Sequence, residues 1–132
     1  GLHLLLAEDN ELNAEIAVTL LEEQGAKITA VTNGKEALEA IQNAAPHTYD
    51  AILMDVMMPE MNGLEATRCI RAFEGKGPDG GTPIIAMTAN VFADDVKACL
   101  DAGMNSHVGK PLDMKILMAE ILKYTNRTRS IC

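Results

Sequence analysis

The chain has 132 residues, enough for one compact domain that buries a core without disulfide or metal staples. Its formal charge of −8, from 11 basic and 19 acidic side chains, argues against the clustered basic face of a nucleic-acid footprint. At 48% hydrophobic the composition is globular, yet no apolar run approaches the ~20 residues that span a bilayer, and no basic segment leads into a signal-type stretch.

Apolar runs and amphipathic segments alternate along the chain. LHLLLAE (2–8) reads as a strand. NELNAEIAVTLLEEQG (10–25) reads as a helix, with Asn10 as cap, Gly25 as terminator, and Leu12, Ile16 and Leu20 four apart on one face. KITAVT (27–32) is a second strand, and NGKEALEAIQNA (33–44) a helix capped by Asn33 with Leu38 and Ile41 facing inward. YDAILMD (49–55) is a third strand. GLEATRCIRAF (63–73) is a third helix, with Leu64, Ile70 and Phe73 as packing residues. EGKGPDGGT (74–82) is a loop by its four glycines and its proline. PIIAMT (83–88) is a fourth strand, and ADDVKACLDAG (93–103) a helix with Val96, Cys99 and Leu100 inward, closed by Gly103. SHVGK (106–110) is a short fifth strand. PLDMKILMAEILKYT (111–125) is a last helix packing through Leu117 and Ile121, with Pro111 at or before its first turn.

Five βα units with short, continuous apolar strands imply a parallel sheet covered on both faces. Right-handed crossovers make this a doubly wound α/β fold of flavodoxin-like type, with strand order 2-1-3-4-5. Residues 1–126 form the domain and 127–132 a tail or linker stub. The chain opens GLHLLLAEDN without a methionine and is read as a domain cut from a longer protein, or a trimmed free-standing one. Three scattered cysteines, Cys69, Cys99 and Cys132, form neither a CxxC nor a zinc spacing, which points to a reducing compartment with Cys69 and Cys99 as inert thiols.

In such a fold, ligands bind beyond the carboxyl ends of the strands where the strand order reverses, between the first and third strands. That edge receives Glu8 and Asp9 from strand 1, Asp55 from strand 3, Thr88 from strand 4 and Lys110 from strand 5. Three close carboxylates repel one another, and a hard divalent cation relieves that repulsion. Magnesium, which keeps waters and completes its shell with phosphate oxygens, suits an open site of this kind. Lys110 adds a point charge and Thr88 a hydroxyl donor. Together these groups suit phosphoryl transfer, with Asp55 as the central nucleophile. Singly, each has a plainer reading: an acid at a strand end starts a loop, Asp9-Asn10 opens a helix, and Lys110-Pro111 is an ordinary loop pair. Their convergence on one edge separates the two readings.

These residues resemble the receiver domains of two-component response regulators. The likeness covers residues 2–125 and is carried by LLLAEDN, LMDVMMPEMNG, PIIAMTAN and HVGKP, in order and at family spacing. The stretch AEDNELNAEIAVTLLEEQGAKITAVTNGKEALEAI is most similar to receivers attached to hybrid sensor histidine kinases. The resemblance implies that Asp55 takes a phosphoryl group from a phosphohistidine. It implies that Asp9, with Glu8 through water, Asp55 and the backbone carbonyl of Met57, binds magnesium or manganese. Lys110 would pair with Asp55 and the phosphate, and Thr88 would bond a phosphoryl oxygen. Pro59 and Gly63 would shape the loop after the acceptor. His107 stands where the family usually carries Phe or Tyr. Its plainer reading is a satisfied, half-buried side chain; the sharper one is a switch residue that adds pH sensitivity. Met57 and Asn90 would flank the path of attacking water, and Met57 cannot position it, so slow self-dephosphorylation follows.

The resemblance further implies a phosphohistidine-bearing kinase or phosphotransfer partner docking on the exposed side of the first helix, near Asn10 and Asn13. It implies an output surface, and a surface for dimerisation, formed by helix 4, strand 5 and helix 5. It implies a cytoplasmic domain with no nucleic-acid or membrane contact of its own, whose only chemistry is its own phosphorylation and dephosphorylation. Alternatives are a stand-alone or transcription-factor-linked regulator, an interaction module that has lost the chemistry, and a small aspartate-nucleophile phosphatase. The last lacks the second acid two residues after the nucleophile, since Val56-Met57 follows Asp55.

Overall fold

The computed structural model describes residues 2–44, 48–56, 58, 61–75, 81–88, 93–109 and 113–131. Its elements run β1 (His3–Ala7), α1 (Glu11–Glu23), β2 (Lys27–Val31), α2 (Gly34–Asn43), β3 (Ala51–Asp55), α3 (Gly63–Glu74), β4 (Ile84–Thr88), α4 (Ala93–Ala102), β5 (Ser106–Gly109) and α5 (Met114–Ile131). The sheet has the order β2-β1-β3-β4-β5, and every pair is parallel. This is the flavodoxin-like arrangement read from the sequence. Among the described residues no helix is long and apolar enough to cross a membrane.

Alternate strand residues point to opposite faces, and the two faces hold separate cores. Leu4, Leu6, Leu53, Ile85, Met87 and Val108 pack under Ala17 and Leu21 of α1 and Leu117 and Ile121 of α5. Leu5, Ala7, Ile52, Met54, Ile84 and Ala86 pack under α2, α3 and α4 through Ala37, Ile41, Ala66, Ile70 and Cys99. β3 and β4 are buried along their whole length, so Asp55 and Thr88, their last residues, project from the most constrained part of the sheet.

Among the described residues, three asparagines set helix starts. The side-chain oxygens of Asn10, Asn33 and Asn62 accept from the amides of Asn13, Glu36 and Glu65 at 3.0, 2.8 and 2.9 Å. Asn62 was not foreseen as a cap. At the start of α2, Glu36 also reaches back to accept from the amide and hydroxyl of Thr32, both at 2.7 Å. Those bonds, the hydroxyl's first, hold its carboxyl below the ordinary glutamate range. Gly25 (φ 88°) follows α1 and Gly103 (φ 112°) follows α4, both in the left-handed region that glycine enters without strain.

Several expected packing residues lie elsewhere. Leu12 and Ile16 are 64% and 50% exposed. α1 instead meets the sheet through Ala14, Ala17, Val18 and Leu21, where the small alanines allow close approach. Phe73 is 53% exposed, because α3 turns Ala66, Thr67, Ile70 and Arg71 inward. Leu100 is 47% exposed beside buried Cys99 and Ala102. The side chain of Val96 lies outside the described residues. The third strand begins at Ala51 rather than Tyr49, since the Asp50 carboxylate takes the His3 amide at 2.8 Å. α5 continues past Thr125 to Ile131, a stretch that contains no glycine or proline to stop it.

Arg71 ties four parts of the amino edge of the sheet together. Its Nε donates to the Gly103 carbonyl at 2.8 Å, one terminal nitrogen to Glu74 at 2.9 Å and to the Thr82 carbonyl at 2.8 Å, and the other to Asn105 at 2.9 Å. The same Asn105 oxygen accepts from the Ile84 amide, and the Asn105 carbonyl accepts from the Tyr124 hydroxyl. Burial pulls the guanidinium's pKa down while neighbouring Glu74 opposes the shift.

Candidate functional site

β1 and β3 are neighbours with Ala7 opposite Met54. The chain leaves β1 through Glu8, whose amide donates to the Val31 carbonyl at 3.1 Å and so extends the β1–β2 pairing by one residue. Glu8 is buried and turns a carboxylate oxygen to the Asn10 amide at 3.1 Å, while Asp9 is exposed. Asp55 is buried at the end of β3. Glu8, Asp9 and Asp55 each offer a carboxylate oxygen, and these oxygens lie within 4.8 Å of one another. Two hard, buried donors and one exposed donor at this spacing fit a divalent cation that keeps part of its water shell on the open side.

Thr88 ends β4, one residue beyond Met87, the register partner of Asp55, and is buried. His107 lies opposite Ala86, two positions before Gly109, the partner of Thr88. His107 and Thr88 therefore share a face of the sheet, and His107 is half-buried. Gly63 begins α3 directly behind Asp55. Its amide donates to the Val56 carbonyl at 3.0 Å, and a Cβ there would collide with the Asp55 carbonyl oxygen and come within 3.0 Å of Met54 Cγ. Met57, Pro59, Asn90 and Lys110 lie outside the described residues.

Residues 4–122 match the response regulator receiver domain family. The chain belongs to that family. This receiver is 38% identical to a probable histidine kinase 4 of Oryza sativa subsp. japonica, across 94% of the receiver and 14% of the kinase. It is also 38% identical to the sensor protein GacS of Pseudomonas syringae pv. syringae, across 92% of the receiver and 13% of that protein. The chain thus spans about one seventh of the length of these curated relatives. Among solved structures it superposes on the receiver domain of a sensor histidine kinase from Pseudomonas aeruginosa PAO1, which has a magnesium ion coordinated in its active-site cleft. The TM-score is 0.82 at 36% identity, covering 96% of this receiver and 98% of that one. It also superposes on the receiver domain of a response regulator crystallised with a Saccharomyces cerevisiae histidine phosphotransfer signaling protein. There the TM-score is 0.85 at 26% identity, covering 96% of this receiver and 90% of that chain.

One feature of the receiver escaped sequence reading. Gly34, the first residue of α2, is buried and lies against the segment that leads into α3: its amide donates to the Met61 carbonyl at 2.9 Å. The visible signal was an Asn-Gly pair at the opening of a helix, which marks a turn but not its neighbour.

Proposed function

We propose that this receiver accepts a phosphoryl group on Asp55 from a phosphohistidine and serves as the receiver of a hybrid sensor histidine kinase. The observation that carries the proposal is the convergence of Glu8, Asp9 and Asp55 within 4.8 Å at the β1–β3 switch point of a receiver fold. A carboxylate oxygen of Asp55 attacks the phosphorus in line. A P–O bond forms as the P–N bond breaks, and the bonding pair leaves with the imidazole. Asp9 and Asp55, with Glu8 and the Met57 carbonyl, would hold magnesium or manganese. When bound, that ion supplies charge neutralisation for the acids and the transferred group. Lys110 balances the charge on Asp55 and then on the phosphate, and the Thr88 hydroxyl donates to a phosphoryl oxygen. Pro59 and Gly63 shape the loop behind the acceptor. Met57 and Asn90 set the lifetime of the product, and His107 completes the switch on β5.

The phosphoryl group adds up to about two negative charges, and its bonds to Thr88 and Lys110 bias the α4–β5–α5 surface toward its signalling arrangement. That surface is also the one proposed for dimerisation. Asn10, the cap of α1, and Leu12, Asn13 and Ile16 on that helix are exposed directly after Asp9. They are proposed as the docking strip for the helical, histidine-bearing partner, and the domain as cytoplasmic.

Transfer from an isotopically phosphorylated histidine phosphotransfer domain tests the reading. Magnesium-dependent label appearing on this chain, labile to hydroxylamine, is the expected outcome. Label that stays on the donor, or a chain that releases inorganic phosphate from small phosphoesters with steady turnover, would contradict it.

A further inference from the structure

The end of β2 and the turn into α2 contribute none of the three clustered carboxylates, yet they are bonded to the segments that follow β1 and β3, the two strands that deliver them. At the end of β2, the Val31 carbonyl accepts from the Glu8 amide at 3.1 Å. Three residues on, the Gly34 amide donates to the Met61 carbonyl at 2.9 Å. Gly34 does not need its glycine for backbone freedom, since it sits in the helical first turn of α2. It needs the missing side chain. A Cβ at position 34 would collide with the Met61 carbonyl oxygen and come within 2.9 Å of Ala66 Cβ and 3.0 Å of the Asn62 carbonyl. The start of α2 is therefore seated on the start of α3.

The start of α3 is in turn seated on Asp55. Gly63 bonds the Val56 carbonyl and leaves no room for a Cβ beside the Asp55 carbonyl. The contacts form one line: Glu8 to Val31, along the turn to Gly34, across to Met61, then through Gly63 to Val56 and Asp55. The turn that carries this line is itself stiffened by the Glu36 bonds to Thr32 and by the Asn33 cap. Breaking the Gly34 contact would also leave a buried helix-start amide without its acceptor, so the line resists local displacement.

We infer that Gly34 is a positioning residue for the acidic site: by seating α2 on Met61 it braces the loop after Asp55 and so maintains the spacing from Glu8 and Asp9 that the β1–β3 pairing sets. The inference rests on the acidic site binding a divalent cation. Ala is a better helix former than Gly, so a role confined to helix formation would make Gly34→Ala neutral or stabilising.

The test titrates magnesium into isotope-labelled wild-type protein, Gly34→Ala and Asp55→Asn, and follows amide chemical shifts. The dissociation constant of Gly34→Ala is expected to rise about fivefold or more, the size of an ordinary coupling between sites, with a lowered melting temperature. Amide exchange of Gly34 in the unmodified chain provides a second reading that needs no variant to fold. By reciprocity, magnesium should slow it about fivefold or more. A folded Gly34→Ala that binds magnesium as wild type does, or a Gly34 amide indifferent to magnesium, would overturn the inference. Wild-type protein that fails to bind magnesium would remove the metal site itself, and with it the basis for this role; binding that is lost in Asp55→Asn keeps the two questions separate.

Discussion

Arg71 shows what a single charged side chain does when nearly all of it is buried. An isolated guanidinium in that place would be costly, but here its nitrogens meet two carbonyls, a carboxylate and an amide oxygen. Truncation would leave those acceptors facing one another and Glu74 without its ion-pair partner. Arg71→Ala is therefore expected to cost about 3 kcal/mol or more, measured by urea unfolding. The clasp lies at the amino ends of β4 and β5, the edge opposite Asp55, so the folded variant should still accept a phosphoryl group. A loss below about 0.5 kcal/mol, the usual range of a surface change, would show that the clasp is ornamental. This network was hardly legible in the sequence, because Gly103 and Asn105 lie over thirty positions from Arg71 and an arginine in an amphipathic helix reads first as a solvated one.

Among the elements, α1 departs furthest from its periodicity. The series Leu12, Ile16, Leu20 looks like a buried stripe, yet the helix rests on Ala14, Ala17, Val18 and Leu21. Alanine carries a weak hydrophobic signal and a strong geometric one, since it lets the helix axis come close to the sheet. The larger side chains at 12 and 16 are left outward, flanked by exposed Glu11 and Glu15. An apolar strip with acidic flanks, starting beside Asp9, suits a helical partner with apolar and basic side chains. Replacing Leu12 and Ile16 together by serine should change stability by less than about 1 kcal/mol, as surface positions do. It should slow phosphoryl transfer from the histidine-bearing partner while leaving reaction with acetyl phosphate unchanged. Equal slowing with both donors would place the effect in the site rather than in docking.

At the scale of the whole molecule, strand order and site location followed from one property: five short apolar runs, each ending in a polar or turning residue, with helical periods between them. Burial on both faces makes the three inner strands easy to read, and the strand order brings Glu8, Asp9 and Asp55 to one edge. Contacts made by backbone or by missing atoms stayed hidden. Gly34 acts through space it leaves open to a carbonyl twenty-seven positions away, and Asn62 caps a helix whose start looked like Gly63 alone. His107 was legible as a departure from the aromatic residue of the family, and its register with Ala86 places it on the Thr88 face.

This sheet edge is expected to be a phosphoacceptor centred on Asp55. Intact-mass measurement after incubation with acetyl phosphate and magnesium tests it most directly, with Asp55→Asn and a chelator as parallel arms. Wild-type protein should gain the mass of one phosphoryl group, and neither control should. A gain that survives in Asp55→Asn would move the acceptor elsewhere, and no gain in wild-type protein from either acetyl phosphate or a phosphohistidine donor would contradict the account.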